Sequence, residues 1–230
     1  MIRESFDREL QRLMDEVLTL GSMVEEALVA SVQALKARDH EAARVLIAQD
    51  RSINKRRYEI ETEALTLIAT QQPMARDLRM IAAVLDLSSE LERIGDYAKG
   101  VAKIDLMIGE AELMKPLNDL PVMASKAADM LRAALDAFSE QDAEIARDIP
   151  PRDDEIDNLY DRIYRDLIGL IMAEPDRIEQ ANYLLWVAHN LERAADRVTN
   201  ICERVVFTAT GELTELDAEE GQRVGFEALH

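Results

Sequence analysis

Phe6, Leu10, Leu13, Val17, Leu20, Val24, Leu28, Val32 and Leu35 step along the chain by threes and fours. That spacing lays them in one stripe along an α-helix, and a strand, with its period of two, cannot use it. The feature constrains the fold more than any other, because it does not stop. A break at "KARD" (36–39) is followed by a second run from about His40 to Ala69, with Asp39 placed to cap it and Val45, Leu46, Ile53, Ile60, Leu65 and Ile68 as its apolar positions. "QQPMARDL" then puts Pro73 in the first turn of a third helix, about Met74 to Leu113, with Ile81, Val84, Leu85, Leu91, Ile94, Val101, Ile104 and Ile108 facing a core.

The plan then repeats. "MKPLND" (114–119) has no periodicity and marks a boundary. Helices are expected over about Leu120–Ser139, Asp153–Met172 and from Pro175 to about Ala209, with Pro150 and Pro151 limiting helix between the first two. Asp39 falls against Asp142, Asp50 against Asp153 and Leu65 against Ile168; further on the offset settles at 100 residues. The expected fold is therefore all-α. It consists of two tandem antiparallel three-helix bundles, end to end or side by side, over residues 1–114 and 120–210, followed by an acidic tail, 211–230.

At that offset of 100, "LERIGD" (91–96) meets "LERAAD" (191–196). In each phrase a Glu and an Asp are four apart: Glu92 with Asp96, and Glu192 with Asp196. One helical face carries both members of a pair, where like charges repel mildly. The middle helices add Asp153 and Asp157 in the second half, and Asp50 and Asn54 at the matching positions of the first. If middle and last helices are neighbours, oxygen-bearing side chains converge in each half. Such groups suit hard or intermediate cations such as magnesium, manganese or iron, with zinc less expected in the absence of Cys or His ligands. His189, three before Glu192, is expected to line the groove or pack. The plainer reading is a solvated acidic surface, with Arg93 paired to Asp96 and Arg193 to Asp196.

Composition excludes several functions. With 46 Asp and Glu against 27 Lys and Arg, the net charge is -19, which repels nucleic acid and anionic lipid. Arg51, Lys55, Arg56 and Arg57 form a local basic spot that could meet an acidic partner. No glycine-rich phosphate loop is present, and none of the three histidines lies near a nucleophile elbow. Cys202, the one cysteine, reads as a small buried hydrophobe, and Trp186 as core or interface. No apolar leader opens the chain, and the longest uncharged run, Ala64–Ala75, is too short and too polar to cross a bilayer, so a cytoplasmic protein is expected.

Over about residues 3–208, the duplicated three-helix layout together with "LERIGD" and "LERAAD" resembles the PhoU family, accessory proteins of bacterial phosphate-specific transport. The resemblance implies a non-enzymatic negative regulator of the phosphate-starvation response. It would link the importer's ATPase subunit, PstB, to the membrane sensor kinase PhoR, often as a dimer. It also implies metal at Asp50, Glu92, Asp96, Asp153, Asp157, Glu192 and Asp196, as iron, manganese, magnesium or zinc, with Asn54 departing from the full acidic pattern. A carboxylate-metal enzyme and a purely structural helical scaffold are the alternatives.

Overall fold

A computed structural model describes residues 2–114 and 118–216. Lys115–Leu117 of the expected boundary and residues 217–230 of the acidic tail lie outside the described residues. Six long helices form: α1 (Ile2–Ala37), α2 (His40–Gln71), α3 (Ala75–Ile108), α4 (Asp119–Glu140), α6 (Asp153–Ala173) and α7 (Ile178–Thr210). A short α5 (Ala143–Arg147) and two 3₁₀ turns, Pro150–Arg152 and Pro175–Arg177, complete the described residues, among which there is no strand.

The repeat is legible in the caps. Asp39 accepts from the Ala42 amide at 2.9 Å, and Asp142 accepts from Glu144 and Ile145 at 2.9 and 3.0 Å. The two caps open unequal helices. Asp39 starts the 32-residue α2, whereas Asp142 starts only five residues. Pro150 and Pro151 cannot donate to a helical ladder, so the second half splits its middle element into α5, a 3₁₀ turn and α6.

Two expected boundaries move. Pro73 lies in the extended link between helices rather than in the first turn of α3, because Gln72 ends α2 in the left-handed region at φ 48° and the chain must still reorient. Helix α3 ends at Ile108, not Leu113: Gly109 adopts φ 59° and its N–H closes on the Asp105 carbonyl. The Arg38 guanidinium donates to the carbonyls of Gly109 and Ala111, tying the α1–α2 turn to that end.

The bundles lie side by side. α1, α2 and α3 pack together, as do α4, α6 and α7, while α3 packs on α7 and α1 on α4 across the divide. One continuous core results. α3 packs against α1, α2 and α7, which accounts for its wide apolar surface. By length and composition α1 is the one described helix able to span a membrane. Its stripe, Leu13, Val17, Leu20, Val24 and Leu28, is instead core, at 0–1% exposure. Cys202 is buried, as its neighbours suggested.

Some apolar assignments fail. Val45 and Leu65 are 46% and 52% exposed, because α1 and α3 cover only one side of α2. The inward face of α2 carries Ala43, Ile53, Ile60, Ala64 and Leu67 instead. Trp186 is 62% exposed, which leaves interface, of the two expected places, as the one open to it.

Candidate functional site

The α3–α7 crossing places the two acidic phrases. The helices run antiparallel, with Asp86 paired to Arg204 at 3.1 Å, Glu90 to Arg197 at 3.5 Å and to Asn200 at 3.2 Å. Farther along, the Arg193 guanidinium stands 5.7 Å over the Tyr97 ring. A local two-fold relation shows at the ends of this zipper. Glu90 accepts from Asn200, and Asn190, its counterpart, lies against Gly100, the counterpart of Asn200. The two phrase arginines also make contacts beyond those expected: Arg93 pairs with Glu90 at 3.7 Å, and Arg193 reaches Tyr97. Asp96 pairs with Lys99 at 3.1 Å.

In the first half, α2 and α3 do bring the named side chains together. Asp50 is 5% exposed. Its Oδ2 accepts from Lys99 Nζ at 2.7 Å and from Asn54 Nδ2 at 3.0 Å. The same ammonium donates to Asp96 Oδ1 at 3.1 Å, so one lysine bridges the middle and last helices. Asp50 Oδ1 is buried without a hydrogen-bond partner. Burial raises the pKa of Glu92; Asp96 and Asp50 add to that, while Arg57 and Arg93 oppose it. Gly95 makes the close helix approach possible, since a Cβ there would meet Ile53 at 3.3 Å.

The second half presents a different cluster in the same place. Glu192 is pushed up to about 7, first by burial, then by Asp196 and Asp157, with Arg193 opposing. Asp157 of α6 is therefore close enough to the phrase in α7 to feel its charge. His189 Nδ1 lies 3.1 Å from Glu192 Oε2, and its ring is 6.3 Å from Tyr160, tilted by 52°. The Tyr160 phenol is raised too, by burial and then by Glu192. At the position matching Lys99 stands Thr199, buried, its hydroxyl without a hydrogen-bond partner.

The basic spot on α2 is largely answered within the chain. Lys55 pairs with Glu59 at 3.4 Å, Arg57 with Glu61 at 3.5 Å, and Arg56 with Glu16. Sequence reasoning missed Lys99 as a site residue. The signal was present: a lysine three residues after Asp96, against a threonine three after Asp196.

As to metal, among the described residues no group of three or more His, Cys, Asp and Glu side chains is gathered tightly enough to hold an ion. In donor chemistry the second cluster suits one: Asp157 and Asp196 act on Glu192, a histidine lies beside Glu192, and Asp153 stands one turn before Asp157 on α6. Burial first, and then the charges of Asp196 and Asp157, disfavour the ionised form of Glu192 there.

The chain matches the PhoU domain family twice, over residues 17–104 and 120–205. It belongs to the PhoU family. Both PhoU domains carry one acidic phrase. The chain is 34% identical over 218 residues to a PhoU homolog of Clostridium acetobutylicum, covering 94% of this chain and 100% of that one. It is 38% identical over 210 residues to the homolog of Caulobacter vibrioides, covering 91% of each. Among solved structures, PhoU of Pseudomonas aeruginosa superposes with a TM-score of 0.85 at 31% identity, covering 90% of this chain and all of that one. The phosphate transport system regulatory protein PhoU of Streptococcus pneumoniae superposes at 0.83 with 35% identity, covering 91% and 99%. PhoU membership makes this a regulatory protein of phosphate homeostasis rather than an enzyme.

Proposed function

We propose that the protein is a cytoplasmic negative regulator of the phosphate-starvation response, an adaptor between the importer's ATPase subunit, PstB, and the sensor kinase PhoR. One observation carries this reading: almost the whole chain follows PhoU regulators in sequence and in backbone, with both acidic phrases set at a helix–helix junction. The surface is suited to docking. Tyr164, Ile168 and Met172 of α6 and Ile178 and Trp186 of α7 are 40–82% exposed, apolar side chains on a chain otherwise rich in acid. These side chains would serve a partner or a second copy in a homodimer.

Asp153, Asp157, Glu192 and Asp196 would hold a cation at the second cluster. Bound there, an iron, manganese, magnesium or zinc ion supplies positive charge that offsets the carboxylate repulsion and fastens α6 to α7. The protein's own part is to present these oxygens from two helices, with Glu192 deprotonated. The test is capture of purified PstB and of the PhoR cytoplasmic portion by the full chain, in high and in low phosphate. The expected result is capture that weakens when Trp186 and Met172 become Ser. Absence of capture in either condition overturns the adaptor reading.

A further inference from the structure

We infer that Lys99 is a resident cation of the first acidic cluster: its ammonium occupies the place a metal would take between α2 and α3, and that cluster takes no metal ion. The geometry is direct. Lys99 Nζ is 2.7 Å from Asp50 Oδ2 and 3.1 Å from Asp96 Oδ1, joining the two helices that a bound ion would join. Asp50 is 5% exposed, and a carboxylate so buried needs a counter-charge or it destabilises the fold. Asn54 supplies a further donor to the same oxygen at 3.0 Å, where a carboxylate would have added repulsion.

Comparison of the halves by register strengthens the assignment at four positions around the phrase acids. Asn54 stands where the second half has Asp157, Arg57 where it has Tyr160, Ser89 where it has His189, and Lys99 where it has Thr199. The first half has lost one carboxylate and one imidazole and gained two cations. The four positions lie on three successive turns of the two helices, around the same two phrase acids. Two of the positions give up a ligand for a neutral side chain, and the other two gain a positive charge. The buried threonine opposite Lys99 leaves the second half without such a cation, so the copies divide the work: one clasp is permanent, the other depends on an external ion. Only the second clause rests on the reading of the second cluster given above.

Manganese(II) bound to the full chain, counted by elemental analysis after equilibration and desalting, tests the metal side. Glu92→Ala with Asp96→Ala is expected to leave the manganese content of the wild type unchanged. Transplanting the second half's residues, Asn54→Asp, Arg57→Tyr and Lys99→Thr together, is expected to add about one ion per chain. A drop in the first variant, or no gain in a transplanted chain with wild-type circular dichroism, overturns the exclusion of metal. Thermal unfolding in chelator tests the lysine independently of any ion. Lys99→Met is expected to lower Tm by roughly 5–10 °C, and Asp50→Asn added to it to restore most of the loss. A Lys99→Met chain that melts like the wild type, or is not rescued, overturns the resident-cation role. A wild type that holds no manganese defeats the cation reading of the second cluster alone, and leaves Lys99 to be judged by its melting and rescue.

Discussion

The two halves of the molecule share a backbone plan and differ in how they satisfy it. Around the first phrase, Lys99 bridges Asp50 and Asp96, and Arg57 faces Glu92. Around the second, Glu192 is crowded by Asp196 and Asp157, and the nearest ring is a histidine. Duplication preserved what the packing requires: Leu91 and Leu191, Ile94 and Ala194, Gly95 and Ala195 are all buried. It left the charges at the helix junction free to diverge, because a cluster there can be balanced from inside the chain or from outside it.

The largest effect should appear where the copies agree. Leu91→Ala and Leu191→Ala each remove a fully buried side chain, and each should cost about 3–5 kcal/mol in urea unfolding. A pair differing by more than about 2 kcal/mol would break the equivalence of the two cores.

The next prediction separates the clusters by pH. Glu192 has a folded pKa near 7, above its ordinary 4.5. Below about pH 4.5 it is protonated in both folded and unfolded chains, and its favourable contribution is whole; as pH rises through 7 that contribution is lost, because the buried carboxylate must ionise among Asp196 and Asp157. Glu192→Gln should therefore stabilise the metal-free protein by roughly 2–3 kcal/mol at pH 8 and change little at pH 4. Glu92→Gln should act with the same sign and less strongly, since Arg57 and Arg93 oppose its shift. Urea midpoints of both variants across that pH range decide the matter, and equal gains would mean that the clusters are electrostatically alike. Metal affinity at the second cluster should rise over the same pH interval, because the ion competes with the proton on Glu192.

A smaller contrast lies in the α3–α7 zipper. Glu90 is 16% exposed and meets Arg197, Asn200 and Arg93, so Glu90→Ala should cost about 1–2 kcal/mol. Its counterpart Asn190 lies beside Gly100. Asn190→Ala should cost under about 0.5 kcal/mol, and a double-mutant cycle with Arg197 should show coupling for Glu90 only.

The smallest effect belongs to Gly95→Ala, which copies Ala195 into the first half. The added methyl meets Ile53 at 3.3 Å, so Ile53 must give by a few tenths of an ångström, while the helix gains about 0.5–1 kcal/mol from losing glycine. The net change should stay within about 0.5 kcal/mol by calorimetry, and a loss above about 2 kcal/mol would show that the α2–α3 spacing is far less forgiving than its counterpart.

Reading along the chain recovers the helices, the repeat and the two acidic phrases, because each follows from local spacing. It misplaces Val45 and Leu65, for the same physical reason in each case. An apolar residue at helical spacing is compatible with a core, yet burial depends on which neighbours cover that side of the helix. The arginines of the two phrases reach partners that local spacing does not name: Arg93 meets Glu90 on the preceding turn, and Arg193 meets Tyr97 on the neighbouring helix.

The order of apolar and polar residues alone determined that this chain is six long helices in two related sets, since helical period, proline and cap positions act within a few turns. Tertiary structure decided that α3 meets α7, that Asp50 is buried, and that Lys99 lies between two carboxylates 46 residues apart in the chain. Charge compensation acts through space at a few ångströms, and only packed helices bring such groups that close.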